Sequence, residues 1–310
     1  MSHRINVHQA ITHRTVEAIE QGAGEFKLPW HRPAGSITRP TNIQSKKAYR
    51  GINVVTLWVE AQLKGYATPV WGTYKQMGEA GCQVRKGEKA SLIVFYKQIE
   101  FERDVADGVR KPAPVKTGTE TADGDSIGTA WLARGYHVFN AEQCNGFQPV
   151  ERPPIALIER NDRVEAFMQA TGIEVRTGGH AAYYRPSEDY IQMPDAGLFI
   201  GSDTSSATEA LYSTLLHEAT HATGHRSRLD RDFSQRRNRD EVCKEELLAE
   251  LGAAFLCADL HVTPHLRDDH AQYLQHWLDL MRGDKKAIFA AAAAANRAVQ
   301  YLHGLQPKQD

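Results

Sequence analysis

No apolar run in this 310-residue chain approaches the roughly 18 residues that a membrane-spanning helix requires. No apolar signal-peptide core stands near the start, where the first twenty residues are polar with helical spacing. These absences predict a cytoplasmic protein with no membrane partner. Cysteine is scarce: Cys82, Cys144, Cys243 and Cys257 form no C-x-x-C pair. They read as reduced cytosolic thiols, buried in the fold. Hydrophobic content of 41% and charged content of 24% are those of an ordinary globular chain.

Net charge is nearly absent as well, at −1, but the balance hides a division. Residues 1–98 hold 14 Lys+Arg against 6 Asp+Glu, a net of +8. Residues 1–150 stand at +5 and residues 151–310 at −6. A basic first part points to a polyanionic partner. The length fits two domains, with Glu151-Arg152-Pro153-Pro154 as the boundary. We expect an α+β protein of two domains, 1–150 and 151–310, stiffly but loosely joined at the prolines.

The strongest chemical signal is His217-Glu218-Ala219-Thr220-His221. Positions four apart share a helix face, so both imidazoles can reach one metal. Glu218 beside them is placed as a general base. This H-E-x-x-H spacing is that of zinc-dependent hydrolases. The surroundings agree with a helix. Ser206 and Glu209 have capping-box spacing, Leu211, Leu215 and Ala219 recur near helical period, and Gly224 could end the helix in a left-handed cap.

Two histidines leave a tetrahedral metal short of one protein ligand. A third histidine three residues after Gly224 is excluded, because that position is Ser227 and His225 comes two residues too early. A carboxylate from the helical stretch 245–256 is the alternative. Glu246 and Glu250 share one face there, while Leu247, Leu251 and Phe255 turn to a core. Glu245 reads as a solvated acid. The pair resembles the second helix of gluzincin peptidases. That likeness implies Glu246 as metal ligand and Glu250 as partner to a ligand histidine, with Glu250 the competing ligand. Zinc is the expected ion, and other first-row divalent metals could occupy the site. His225 and Tyr184 are the candidates for steadying an oxyanion. Residues 181–194 read as a hairpin, an edge along which a substrate could lie.

In the first half, residues 5–21 form an amphipathic helix ending at Gly22 and Gly24, followed by a Pro- and Gly-rich loop holding Trp30. Asn53 is expected to cap a helix ending at Gly65, and Thr73 a short one ending near Gly81. Residues 91–97 pair as strands with 136–140. Residues 103–128 are too polar to pack and read as a mobile insertion. Lys46, Lys47, Arg50, Trp71, Lys75, Arg85, Lys86 and Lys89 interleave cations with a ring, the two chemistries that hold single-stranded nucleic acid. Against this, Trp58, Trp71 and Tyr74 taken singly suit a core.

These stretches carry a resemblance. Tyr49-Arg50-Gly51-Ile52-Asn53, Trp71-Gly72-Thr73-Tyr74-Lys75-Gln76, Gly81 to Lys89 and Val138 to Gln143 resemble the amino-terminal domain of the ArdC antirestriction family, which also precedes some plasmid primases. Ala182-Tyr183-Tyr184, Asp189 to Pro194, the histidine pentamer, Thr223 to Leu229 and Glu245 to Leu256 resemble its metallopeptidase domain. The resemblance implies a small basic DNA-binding domain and a zincin-like domain. It implies a plasmid-borne protein that binds single-stranded DNA during conjugation, with double-stranded DNA bound more weakly, and helps the entering strand escape restriction. The metalloprotease site would act on an unidentified protein substrate, with host restriction machinery a candidate. The alternative is a DNA-binding protection protein whose metal site is structural or vestigial.

Overall fold

The computed structural model describes residues 6–22, 28, 38–102, 111–112, 127–148, 157–201, 205–232, 238–264 and 271–307. The chain opens with helix α1 (Val7–Gly22), then strand β1 (Thr41–Asn42), helix α2 (Ile52–Lys64), strand β2 (Val70–Gly72), helix α3 (Tyr74–Glu79) and strand β3 (Gln83–Val84). Two long strands follow, β4 (Ser91–Glu102) and, after the short β5 (Lys111–Pro112), β6 (Ile127–Asn140); β7 (Cys144–Asn145) ends the first half. The sheet order is β1-β2-β6-β4-β5, and β3 pairs with β7 in a separate ribbon. The β4–β6 register, Ser91 against Val138 through Glu102 against Ile127, extends the expected pair well beyond residues 97 and 136. Of the expected insertion, 111–112 and 127–128 are strand; the rest of it lies outside the described residues, as do Trp30 and the Pro153-Pro154 boundary.

Helix α2 corrects one expectation. Its N-cap is Gly51, at a left-handed φ of 55°, and no side chain caps it. Asn53 is buried instead and brackets the backbone of Val94, donating to its carbonyl at 2.8 Å and accepting from its amide at 2.9 Å. The cap-forming side chain is thus spent on tying α2 to β4. Thr73 does cap α3 in a reciprocal box with Gln76.

The second half runs α4 (Leu157–Thr171), β8 (Glu174–Thr177), β9 (Tyr183–Arg185), β10 (Tyr190–Met193), then α5 (Ala207–Ala222), α6 (Arg239–Leu260), α7 (Ala271–Gly283) and α8 (Ala287–Gly304). β10 is central, parallel to β8 and antiparallel to β9, so the expected hairpin is present with β9 on the sheet edge. Ser206 and Glu209 form the expected capping box on α5. Its end differs from expectation. The C-cap is Thr223 in a right-handed conformation, and the turn closes through Leu229 N–H to Thr223 O at 3.0 Å.

One apolar cluster spans both halves. It joins Ile19, Val55 and Trp58 to Phe255, Ile288 and Val299. Trp58 and Phe255 have ring centroids 5.7 Å apart. Arg39 grips Asp259 through two bonds of 2.6 and 2.7 Å and lies over the Phe255 ring. The two halves are therefore packed together and not merely linked. A smaller cluster, including Met77, Cys82 and Cys144, sits beneath α3. All four cysteines are buried thiols. Among the described residues no helix is long and apolar enough to cross a membrane.

Candidate metal centre and nucleic-acid groove

Helix α5 puts His217 and His221 one turn apart on a buried face. Helix α6 crosses it closely because position 252 is glycine. A Cβ there would meet Thr220 Cγ2 at 2.4 Å. That approach brings Glu246 to the two rings. His217 Nε2 and His221 Nε2 are 3.2 Å apart, Glu246 Oε2 is 3.4 Å from the first and Oε1 is 3.6 Å from the second. Bonds of 2.0–2.1 Å at tetrahedral angles place ligand atoms about 3.3 Å apart. The two imidazole nitrogens already stand at that spacing, Glu246 sets one carboxylate oxygen near each of them, and the donor chemistry, two imidazoles and one carboxylate, fits a first-row divalent ion. Among the described residues they form the one group that could hold a metal.

The atoms behind the ligands set their orientation. His221 Nδ1 meets Glu245 Oε1 at 3.0 Å. Glu245 is gripped in turn by Arg231, at 2.8 and 3.2 Å, which also donates to the Thr220 carbonyl and the Thr223 hydroxyl. The reading of Glu245 as a solvated acid is therefore corrected: it holds a ligand ring from behind, as metal-bound histidines require. Glu250, buried, has Oε2 3.9 Å from His217 Nδ1. Burial alone would lower the His221 pKa, yet Glu246 and Glu245 outweigh it and lift it to about 10. Burial likewise opposes ionisation of Glu246, but His221 and His217 hold its carboxyl well below the usual range. The carboxylates thus call for positive charge at this point, which a divalent cation supplies in place of a proton.

The donors open onto a cavity of about 590 Å³ that Glu218 also lines. Tyr184 lines it too, but its hydroxyl donates to Asp189 Oδ1 at 2.7 Å. Asp189 is bound by Arg228 at 2.6 and 3.1 Å, and His225 Nδ1 lies 3.5 Å from it. The Tyr184 hydroxyl is thus engaged in a brace between β9 and the turn after α5, while His225 Nδ1 is bonded to Ser227 Oγ at 2.7 Å and His225 is not among the described lining residues. The far wall comes from α7 and α8, including Tyr273, residues for which no sequence motif gives a signal.

The first half carries a second concavity of about 690 Å³, lined by Lys47, Arg50, Phe95, Tyr96 and Tyr136 with Asn42 and Gln76. Phe95 is 51% exposed, Tyr96 43% and Tyr136 37%, and Phe95 meets Tyr136 edge-on at 5.2 Å. Of the cations singled out from sequence, Lys47 and Arg50 reach this groove. Lys46 is the exposed turn residue next to Lys47, with φ 58°. Trp71 is a correction: at 1% exposure it packs edge-on against Tyr66 and offers no face to a base. Lys75 sits on α3, 3.6 Å from Glu79, and Arg85 is paired with Glu88 at 2.6 Å. Lys86 and Lys89 are exposed on the turn between β3 and β4. None of these four lines the groove. The groove rings went unread because alternation in a strand does not say which face is solvated.

Comparison with known proteins matches each half to a family model. Residues 5–139 match the N-terminal domain of anti-restriction factor ArdC, and residues 162–294 match a zincin-like metallopeptidase family. An uncharacterised protein of Sinorhizobium fredii, y4eC, is 41% identical over 301 residues, spanning 97% of this chain and 92% of that protein. A DNA primase TraC of Escherichia coli is 35% identical over 97% of this chain, which covers 27% of the primase. The metal-free crystal structure of antirestriction ArdC from the R388 plasmid superposes with a TM-score of 0.75 at 38% identity, covering 97% of this chain and 98% of that one. A Mn(II)-bound structure of the same protein gives 0.71 at 36% identity, with the same shares covered. With likeness along nearly the whole length in both sequence and fold, the chain belongs to the ArdC antirestriction family.

Proposed function

We propose that this chain is a metal-dependent peptidase that also holds single-stranded DNA, acting in the cytoplasm to shield an entering plasmid strand from restriction. The carrying observation is the convergence of His217, His221 and Glu246 beside Glu218 in one open cavity. A purely structural zinc is closed by four protein ligands, whereas a catalytic one keeps a position open. Three protein donors facing a cavity favour catalysis over a structural or vestigial site. Zinc is the expected ion, and the Mn(II) complex of the R388 relative supports occupancy by other divalent ions.

A divalent cation here supplies a Lewis acid that polarises the scissile carbonyl and acidifies water. Glu218 takes a proton from the attacking water and passes it to the amine as the C–N bond breaks, leaving a carboxylate and a free amine. His221 is kept in orientation by Glu245 and Arg231, and His217 has Glu250 behind it. β9, an edge strand beside the cavity, offers its backbone to an extended substrate. In the first half, bases stack on Phe95, Tyr96 and Tyr136 while Lys47 and Arg50 meet phosphates.

The deciding experiment compares the wild type with Glu218→Ala on purified host restriction subunits, with and without single-stranded DNA. Cleavage products that vanish in the variant, while metal content stays equal, support the reading. Intact substrates in every lane, beside full protection of transferred DNA in cells by both forms, would reject the peptidase role.

A further inference from the structure

The cavity wall facing the metal ligands is built by α8 and the turn before it. Ala287, Ala290, Ala291 and Ala294 line the cavity, at spacings that keep them on one helix face. From Ala287 to Ala294 this strip of methyl groups runs about 10 Å. Asp284 lines the same cavity three residues ahead of Ala287. It is exposed to solvent, and its Oδ1 accepts the Lys286 amide at 2.8 Å, which anchors the carboxylate at the helix entrance. A methyl-lined track ending in an anchored carboxylate matches a long cationic side chain. The aliphatic stem lies on the methyl groups and the charged head reaches the acid.

The charge of the whole cleft points the same way. Glu218, Asp232, Glu241, Glu245 and Glu246 also line it, and Lys244 is the one lysine or arginine among the described lining residues. Lys244 Nζ lies 2.5 Å from Glu241. Glu245 is committed to His221 and Arg231, and Glu246 to the metal position. A polyanion would be repelled from such a cleft, while a basic peptide would be drawn in.

We propose that the cleft selects peptides with Lys or Arg beside the scissile bond, and that Asp284 with the alanine face of α8 is the pocket that takes that side chain. This rests on the peptidase reading above. The test digests a random peptide library with the metal-loaded full chain and reads cut sites by mass spectrometry. Lys and Arg should be enriched at least fivefold at one position next to the cut. Asp284→Asn, which keeps an acceptor for the Lys286 amide, should remove most of that enrichment at unchanged metal content, and Asp284→Lys should shift it towards Asp and Glu. In parallel, labelled Lys-, Ala- and Glu-containing peptides are titrated against the metal-loaded Glu218→Gln chain, so that selectivity is read without turnover. Tighter binding of the Lys peptide by the Asp284 parent alone supports the pocket even if no peptide is cut, an outcome that would remove only the peptidase reading. Equal binding of the three peptides, or an enrichment that Asp284→Asn leaves intact, overturns the pocket.

Discussion

The metal cleft and the aromatic groove solve opposite problems. In the cleft, His221 is fixed from behind by a chain of bonds: His221 by Glu245, Glu245 by Arg231, and Arg231 by the Thr220 carbonyl and Thr223 hydroxyl at the end of α5. In the groove, Phe95, Tyr96 and Tyr136 stand half in solvent on two long strands, with Lys47 and Arg50 exposed at the margin. A single ion demands fixed distances, so its site is buried and over-determined. A flexible polymer such as the proposed single strand demands flat faces and mobile charge, so a site for it would stay open. Losing one group should therefore be severe in the first and graded in the second.

The largest expected effect is at the ligands. Glu246→Ala removes one of three protein donors and leaves His217 and His221 facing each other at 3.2 Å. Metal content after dialysis should fall from one equivalent to near zero. Glu218→Gln should keep its equivalent and lose turnover by roughly 10²–10⁴-fold, the usual weight of a general base. Retained metal in Glu246→Ala, with loss in Glu250→Ala, would move the ligand one turn along α6.

Next comes the close approach of α5 and α6. Gly252→Ala drives a methyl into Thr220 Cγ2, an overpacking that costs about 1–3 kcal/mol. Because α6 carries Glu246, thermal stability and metal affinity should drop together. Thr220→Ala in the same chain removes the clashing Cγ2 and should restore part of both. A Gly252→Ala chain that melts and binds metal like the wild type would show that the helix spacing is not fixed by this contact.

Stacking in the groove should be milder per residue. Phe95→Ala and Tyr136→Ala should each weaken single-stranded DNA binding by about 1–3 kcal/mol. Lys75→Ala, outside the groove, should change affinity little. Replacing Lys47 and Arg50 together should lower the slope of affinity against salt. A full loss from Lys75→Ala with none from Phe95→Ala would move the DNA surface to α3.

The same contrast explains what was legible in the sequence. His217 and His221 could be read because a helix alone fixes their relation, and Ser206 with Glu209 marked where that helix starts. Glu246 needed a second helix, and a family likeness supplied it. Glu245 could not be told from its neighbours until the rotation of α6 against α5 was known. Trp71 and Phe95 look alike in a list of rings, but one is packed against Tyr66 and the other faces water. The alanines of α8 carry no chemical signal at all. Asn53 has a capping residue's chemistry and spends it on Val94.

The smallest effect concerns the connection between the two sites. A stiff proline junction between independent domains predicts that stripping the metal changes DNA affinity threefold or less. The packing argues for more. Helix α8 presents Ala287, Ala290, Ala291 and Ala294 to the cleft. Its other side carries Phe289, 4.6 Å from the His8 ring, and Asn296, whose Oδ1 accepts from the Gly51 amide at 3.4 Å. His8 also shares a hydrogen bond of 3.0 Å with the Tyr96 hydroxyl, so a groove ring and a cleft wall touch the same imidazole. In the proposed complex a strand filling the groove would meet Tyr96, whose contact with His8 offers a route to α8. We expect metal to change single-stranded DNA affinity by roughly three- to tenfold, near 1 kcal/mol, with DNA changing metal affinity by the same factor, as linkage requires. His8→Ala should bring the factor towards one while each ligand alone still binds. Titrations of DNA with and without chelator, repeated in the variant, measure it. A factor below three in the wild type would mean that α8 is a rigid partition, and that the two sites work independently although they share one core.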